Sequence, residues 1–545
     1  MTLRTRNLEK LPSEEYDALI IGGGINGAAA AAALSGKGAK VALIDRGDFA
    51  GSTSMHSSNL VWGGIKYMES NDFALVRKLC KSRNHLIESY PSTVKEIRFL
   101  TTIAKGFRHS PWYLWAGTWL YWLMGNGFTK RPKLLSPKNI KREEPIIKTD
   151  GAVGGFEYSD AYLYDNDARF VFNFVRQAMN FGAVAANYVE SLGAERQGDH
   201  WVTQARNVMD DSTFEIRSKV LINAAGPWVD EHNALTHQST SHQHMYSKGI
   251  HLIVPQLTKE KRVLAFFADD GRLFFVIPMG NRTCIGTTDT HMEHPNPEVT
   301  EKDIAFVLEN INSRLTLSKP LTESDIISTR CGVRPLAVKS EKGQSRDFLQ
   351  LSRKHVIDTH DETAHISIFG GKLTDCLNVG EEIADEARRL NISLDHTNRR
   401  WYGEPGAEVK ASFMEKAKAM KLDDLTPATS TEKLSSRLWR RYGEDAFALL
   451  EQIKADPAEA EVLIDGTEHL RCEIEYARDH EMITELEDFL RRRAKVSLVV
   501  HRDELARSKG LKRACEVLFG ADAQTRFDTY FADHADDIPA EPAHS

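Results

Sequence analysis

At 545 residues the chain is longer than one hydrophobic core accommodates, so at least two domains are expected. A net charge of −7, with both signs interspersed, argues against a general nucleic-acid binder, which needs a basic stripe. The 6 cysteines show neither C-x-x-C nor zinc spacing, so no metal site is expected and they read as reduced, packed thiols of a cytoplasmic protein.

The polar start MTLRTRNLEKLPSEEYD lacks the apolar core of a signal peptide. A strand-like run from Leu19 then enters ALIIGGGING, where Gly22, Gly24 and Gly27 form G-x-G-x-x-G. In this pattern Gly22 allows a tight turn, Gly24 lets the backbone approach a pyrophosphate, and Gly27 lets the following helix pack on the strand. The helix-like run AAAAAALSGKGAK follows, and its first N–H groups would face phosphates. A second strand, KVALID, delivers Asp45 at the distance expected for ribose hydroxyls. A glycine fingerprint alone is often just a turn. With strand, helix, second strand and acid together, the reading is a βαβ dinucleotide site.

Pro111 to Phe128 (PWYLWAGTWLYWLMGNGF) carries no charge and is crowded with Trp, Tyr and Leu. It is barely long enough to span a bilayer and is interrupted by glycines. Two readings stay open: a buried aromatic helix, and contact with a membrane surface through Trp and Tyr, with Arg108, Lys130 and Arg131 at its flanks.

Further on, DARFVFNFVRQAMNFGA has helical spacing and a glycine stop. The strand-like KVLINAAGPWVD ends in small residues that admit a cofactor, or simply a turn. From about Lys248 to Thr290 short alternating runs predict an antiparallel, substrate-facing layer. ISIFGGKLTD, followed by VGEEIADEARRL, returns to strand, glycine turn and helix, so the nucleotide domain is expected to be discontinuous. Beyond about Arg400 the pattern is helical and charged, with caps expected at Ser430 or Thr431. Arg491, Arg492 and Arg493 read there as a solvated helix face, and the tail DDIPAEPAHS as disordered.

One fingerprint does not choose between NAD and FAD. FAD is favoured because no second complete fingerprint appears, while AAGPWVD and FGGKLTD supply two further turns for a long, buried cofactor.

The resemblance then becomes specific. GGGING with Asn26, Ser57-Ser58-x-Leu60, GGIKYME from Gly63, GFEYSD from Gly155 and NAAGPW from Asn223 occur in one order along the chain. They continue with Lys248-Gly249-x-His251, IGTTD from Ile285, GVRPL from Gly332, Ser345-Arg346-Asp347, FGGKLT from Phe369 and the C-terminal LEDFLRRR. Over nearly its whole length the chain resembles the FAD-dependent, quinone-linked aerobic glycerol-3-phosphate dehydrogenases.

The resemblance implies an α/β fold. Its Rossmann-like FAD domain would be of the glutathione-reductase and D-amino-acid-oxidase type, with an antiparallel substrate domain and a C-terminal α-helical cap. The FAD domain is expected over 14–100, 151–240 and 346–398, with an insertion at 101–150 that carries the segment 111–128. The antiparallel layer is expected over 241–345, the helical domain over 399–535 and the tail over 536–545.

Gly22, Gly24, Asn26, Gly27, Asp45, Ser57, Ser58, Gly63, Gly64, Ala225, Gly226, Gly371, Lys372, Leu373 and Thr374 would hold FAD. His251 is the candidate base, with the alternative that it only orients FAD or substrate. Arg334, Arg346 and Lys372 would meet the substrate phosphate, with Lys66 and Tyr67 beside them.

Three departures bear on the substrate. Trp62 stands where relatives have histidine, Lys66 where they have arginine, and Asp375-Cys376-Leu377 where they continue Thr-Tyr-Arg. Asp375 is expected to lower the local positive potential or to bind a hydroxyl of a longer polyol phosphate. The leading expectation is therefore oxidation of glycerol 3-phosphate to dihydroxyacetone phosphate, with a quinone as acceptor and peripheral contact at the inner face of the cytoplasmic membrane. A homodimer is compatible with it. Two alternatives are kept: a dehydrogenase of another polyol phosphate, such as a tetritol phosphate, and a flavin-binding protein without turnover.

Overall fold

The computed structural model describes residues 2–268, 272–340, 354–428 and 430–534. Two mixed sheets and a C-terminal group of helices organise the chain. The first sheet has eight strands. At its centre Thr213–Asn223, Glu15–Ile21, Val41–Ile44 and Val184–Ala186 run parallel, and His365–Phe369 joins Thr213–Asn223 in the same direction. Ala18, Leu19 and Ile20 are fully buried in succession rather than alternately, as expected of a strand covered on both faces.

One cover is the helix Ile25–Gly36, whose alanines from Ala28 to Ala33 are all buried between the helices Asp167–Asn180 and Cys376–Arg389. Their small side chains let three helices approach closely. Gly27 serves the same end, because a Cβ there would lie 1.9 Å from the Gly22 carbonyl. Gly22 itself has φ +102°, a conformation that side chains disfavour.

The second sheet has ten strands, and its long strand His242–Pro255 pairs on one side with Arg282–Gly286 and on the other with Ser328–Lys339. Four of its members, Leu60–Val61, Val94–Ala104, Lys133–Leu135 and Ala152–Leu163, come from outside the segment expected to build it. Val94–Ala104 and Ala152–Leu163 pair with each other, and Val94–Ala104 also runs parallel to Arg262–Phe267. Residues 60–61, 94–100 and 152–163 therefore belong to the substrate-side sheet, not to the dinucleotide sheet where the expected boundaries placed them. Alternating burial identifies a strand, but it does not say which sheet receives it.

The aromatic run folds as the helix Pro111–Met124, with the Ser110 side chain accepting from the Tyr113 N–H at its start. It has one buried and one exposed side. Thr118 and Tyr121 are buried, whereas Trp112 and Tyr113 are 64% and 65% exposed. No helix among the described residues is long and apolar enough to cross a membrane.

In the C-terminal region the helix expected to start at Ser430 or Thr431 begins at Leu434, with Lys433 as its cap residue. Ser430 bonds Glu432 and Glu468 instead. A larger correction concerns Arg491, Arg492 and Arg493. They occupy one wide helical turn, Asp488–Arg493, and are buried against Asp48 and Asp167 of the part built on the first sheet rather than solvated. The segments 341–353 and 535–545, which contain Arg346 and the expected disordered tail, lie outside the described residues.

Candidate active site

The carboxyl end of the first sheet forms a cavity of about 540 Å³ bordered by Gly22, Gly24, Asp45, Ala225 and Gly226. The Asp45 carboxylate receives the N–H groups of Gly23 at 2.7 Å and Gly47 at 2.9 Å. Burial nevertheless pushes its pKa up to about 6. At the rim the Arg46 guanidinium lies 4.1 Å over the Trp228 ring.

Asn26 extends this region toward the second glycine turn. Its amide N–H donates to the Gly370 carbonyl at 3.0 Å, while its own Oδ1 is buried with no hydrogen-bond partner among the described residues. A glycine cradle that a Cβ would fill, a helix start and an orphaned buried acceptor suit a long dinucleotide reaching from Gly24 to Gly371.

The second part of the candidate site is built where the second sheet meets the Ser57–Tyr67 segment. His251 has Gly286 as its Cα partner on one neighbouring strand and Arg330 on the other. Its imidazole is buried, and neither ring nitrogen has a hydrogen-bond partner among the described residues. Burial, with the charges of Arg334 and Arg330, pushes its pKa down to about 3, so it is neutral at physiological pH.

Arg334 fits above Gly249, where a Cβ would lie 2.0 Å from the guanidinium. It donates to Thr287 Oγ1 at 2.9 Å and to the carbonyls of Lys248 and Thr288 at 3.3 Å. Lys372 brings its ammonium within 4.2 Å of the Tyr67 ring centroid and 5.9 Å of that of Trp62. The residue that departs from the family pattern therefore forms one wall of the cation's environment. Trp62 is steadied by its indole N–H, which donates to the Tyr158 hydroxyl at 3.4 Å.

Other expected residues are placed differently. Both oxygens of Asp375 are committed within the protein, Oδ1 to Ser82 at 2.8 Å and Asn378 at 2.5 Å, and Oδ2 to His355 at 3.0 Å and Lys78 at 3.4 Å. Burial works against its charge, but His355 and Lys78 bring the pKa down to about 2. Asp375 thus pins the turn Leu373–Asp375 between two helices instead of presenting an acid to a polyol.

Ser57 is likewise engaged, its hydroxyl donating to Asp167 at 2.8 Å. Ser58 is half-buried beside it, and Thr374 is buried in the same turn as Leu373. Gly63 and Gly64 shape the loop. The Gly63 N–H donates to Asp160 at 3.0 Å, and a Cβ at Gly63 would lie 2.2 Å from the Tyr121 hydroxyl. Lys66 borders a separate cavity of about 630 Å³, lined among others by Phe156, Phe267 and Phe275 and, on the aromatic helix, by Tyr113, Thr118 and Leu120.

Sequence reasoning missed the supports of this site. Asp160 is held by Arg83 at 2.9 Å and by the Tyr121 hydroxyl at 2.7 Å, all three buried. Arg330 is tied to the Asn59 side chain at 2.7 Å and to the Ser57 carbonyl. Asp160 ended a recognised motif, which was a usable signal; Arg330 had none.

A parallel sheet with a glycine-fingerprint crossover, joined to a second sheet that carries a buried histidine and the Arg334 guanidinium, fits an FAD-dependent oxidoreductase of the dinucleotide-fold class. The comparisons agree. The family model described as FAD dependent oxidoreductase matches residues 17–385, and that of the C-terminal domain of alpha-glycerophosphate oxidase matches residues 362–522. The chain belongs to the FAD-dependent glycerol-3-phosphate dehydrogenase family.

Over 503 residues it is 31% identical to a glycerol-3-phosphate dehydrogenase of Mycobacterium leprae, covering 90% of this chain and 82% of that one. Over 518 residues it is 32% identical to the aerobic glycerol-3-phosphate dehydrogenase of Bacillus subtilis, covering 90% and 89%. Among solved structures, the Bacillus halodurans glycerol-3-phosphate dehydrogenase complexed with FAD superposes with a TM-score of 0.76 at 25% identity, covering 100% of each chain. The L-alpha-glycerophosphate oxidase of Mycoplasma pneumoniae shares the fold, with a TM-score of 0.54 over 72% of this chain and 98% of that one.

Proposed function

We propose that the chain oxidises sn-glycerol 3-phosphate to dihydroxyacetone phosphate and passes the electrons to a membrane quinone. The observation that carries this reading is the buried, neutral His251, whose ring nitrogens have no hydrogen-bond partner among the described residues, next to Arg334. The fingerprint and the Gly370–Thr374 turn would hold FAD, which when bound would supply the acceptor for the hydride leaving C2. His251 takes the proton of the C2 hydroxyl as the carbonyl forms. Arg334 and Lys372 offer the charge that a phosphate dianion needs, and the dianion offsets the cations that otherwise suppress His251 basicity. Tyr67, under the Lys372 ammonium, is assigned a hydroxyl contact to the substrate.

The apolar cavity beside Lys66 supports the quinone, since it lies between the second sheet and a helix whose outer face exposes Trp112, Tyr113 and Leu123. Aromatic residues flanked by Arg108, Lys130 and Arg131 suit the headgroup zone of a bilayer. Trp62 and Lys66 favour a second reading, in which a larger polyol phosphate is the substrate. Asp375 no longer argues for it.

Anaerobic addition of glycerol 3-phosphate to the purified holoprotein should bleach the oxidised flavin absorbance. Bleaching only with a longer polyol phosphate selects the second reading, and no bleaching with any of a panel leaves a flavin-binding protein without turnover.

A further inference from the structure

The helical C-terminal domain has no residue in the proposed chemistry, yet three of its buried arginines point out of it. In the turn Asp488–Arg493 three consecutive arginines reach two different places in the cofactor-binding part. Arg493 places Nη1 and Nη2 on the two oxygens of Asp48, each at 2.8 Å. Arg492 adds Nε at 2.7 Å to the same carboxylate, while its other nitrogens reach Glu487 at 2.9 Å and Asp488 at 2.6 Å. Arg491 turns the other way. Its guanidinium lies 3.7 Å from Asp167, whose second oxygen takes the N–H of Ser57 at 2.9 Å.

Asp48 and Asp167 lie on different elements, the loop after the second strand and the start of the helix Asp167–Asn180. Asp48 belongs to the loop after the second strand, and this loop forms one wall of the 540 Å³ dinucleotide cavity. Glu487 and Arg492 border that same cavity, so the C-terminal domain supplies part of its wall directly. Asp167 starts the helix Asp167–Asn180 and holds the Ser57 segment in the second part of the candidate site.

Neither acid has any solvent exposure, and a buried carboxylate without its cations is strongly disfavoured. The loop from Asp45 to Ser54 can therefore keep its cavity-forming path only while the arginine turn is docked. Its apolar anchor supports this arrangement, since the Arg493 guanidinium lies 3.9 Å from the Phe172 ring centroid on the helix beneath.

We propose that the turn Glu487–Arg493 is a cofactor clamp: the C-terminal domain retains FAD by holding, through Arg492 and Arg493, the Asp48 loop that walls the dinucleotide cavity. Linkage makes the effect reciprocal, so FAD in turn secures the docking of the C-terminal domain. The inference rests on the cofactor alone and is independent of which polyol phosphate is oxidised.

The test is FAD affinity of the full-length apoprotein, read by quenching of flavin fluorescence on rebinding. Arg493→Lys keeps the charge but loses the fork, and it should raise the FAD Kd by at least about tenfold. Asp48→Asn should do the same. Arg437→Gln is the control. It breaks a pair with Glu473 that is equally buried, at 2.7 Å, but lies within the C-terminal domain, so it should lower thermal stability with the FAD Kd unchanged.

If Asp48→Asn does not fold, Arg493→Lys and limited proteolysis of the wild-type apoprotein still decide the matter. Added FAD should slow cleavage of the C-terminal domain by at least about fivefold. The proposal is overturned if Arg493→Lys and Asp48→Asn bind FAD as the wild type does, whatever their melting temperatures. It is also overturned if FAD leaves the proteolysis rate unchanged.

Discussion

His251 and Arg330 are Cα partners on adjacent antiparallel strands, so the candidate base sits beside a buried guanidinium that also holds Asn59 and the Ser57 carbonyl. His251 is neutral chiefly because it is buried, and the charges of Arg334 and then Arg330 add to this. Replacing Arg330 by methionine removes one of those charges and lets the imidazole bind a proton at higher pH. We expect the acidic limb of the kcat/KM profile to move upward in Arg330→Met and to stay near its original place in Arg330→Lys. A limb that does not move in Arg330→Met removes Arg330 from this role.

The role of His251 itself separates rate from binding. His251→Asn should slow anaerobic flavin reduction by at least about 100-fold, because general-base catalysis contributes on that order. The visible spectrum of bound FAD should be unaltered. A variant that reduces its flavin at the normal rate leaves His251 an orienting residue only.

Arg334 makes contacts that only a planar fork satisfies, reaching Thr287 Oγ1 through one nitrogen and two carbonyls through the other. Lysine preserves the charge but not this geometry. Arg334→Lys should raise KM for the phosphorylated substrate by about tenfold or more, with a smaller effect on kcat. A defect confined to kcat contradicts a phosphate-binding role.

The contrast between Gly22 and Asp375 shows what the chain disclosed in advance. Gly22, Gly24, Gly27 and Asp45 belong to one βαβ unit, so their spacing alone carried the geometry that the sheet displays. Asp375 looked like a substrate contact because it stands at a motif position with an unfamiliar residue. Its real partners, Lys78, Ser82 and His355, come from distant stretches that no local pattern connects. The same reason hid the arginine turn. Arg493 and Asp48 are 445 positions apart, and a run of arginines on a helical pattern looks solvated until the acids that bury it are known. The aromatic helix was ambiguous in sequence because it is amphipathic in an unusual sense, with aromatic residues on both its buried and its exposed faces.

That exposed face leads to a prediction about membranes. Trp112, Tyr113, Leu120 and Leu123 are large apolar side chains open to solvent on one helix, close to basic residues on a chain of net charge −7. Flotation with vesicles containing anionic lipid should carry the protein upward. Replacing Trp112 and Leu123 with serine should abolish flotation without altering flavin bleaching in solution. Equal flotation of wild type and variant places membrane contact elsewhere.

Acid stability follows from the buried histidines. His56, His251, His365 and His469 have pKa values pushed down to about 3, and His232 to about 4, in each case chiefly by burial. In the unfolded chain each recovers its ordinary value near 6.5. Between those values the unfolded state binds protons that the folded state does not, so the stability these groups contribute is complete above pH 6.5 and falls as the pH drops toward 3. Each such group changes the unfolding free energy by up to about 1.4 kcal/mol per pH unit. His355 acts oppositely: Asp375 and Glu382 outweigh its burial and raise its pKa, so its contribution is complete below 6.5 and is lost as the pH rises through the folded value. With more groups on the first side, the midpoint of urea unfolding should fall steadily from pH 6.5 to pH 5. Substituting His365, which packs against Trp201 away from the proposed chemistry, by glutamine should flatten that fall. A midpoint that is independent of pH over this window would mean that these histidines are protonated in the folded protein.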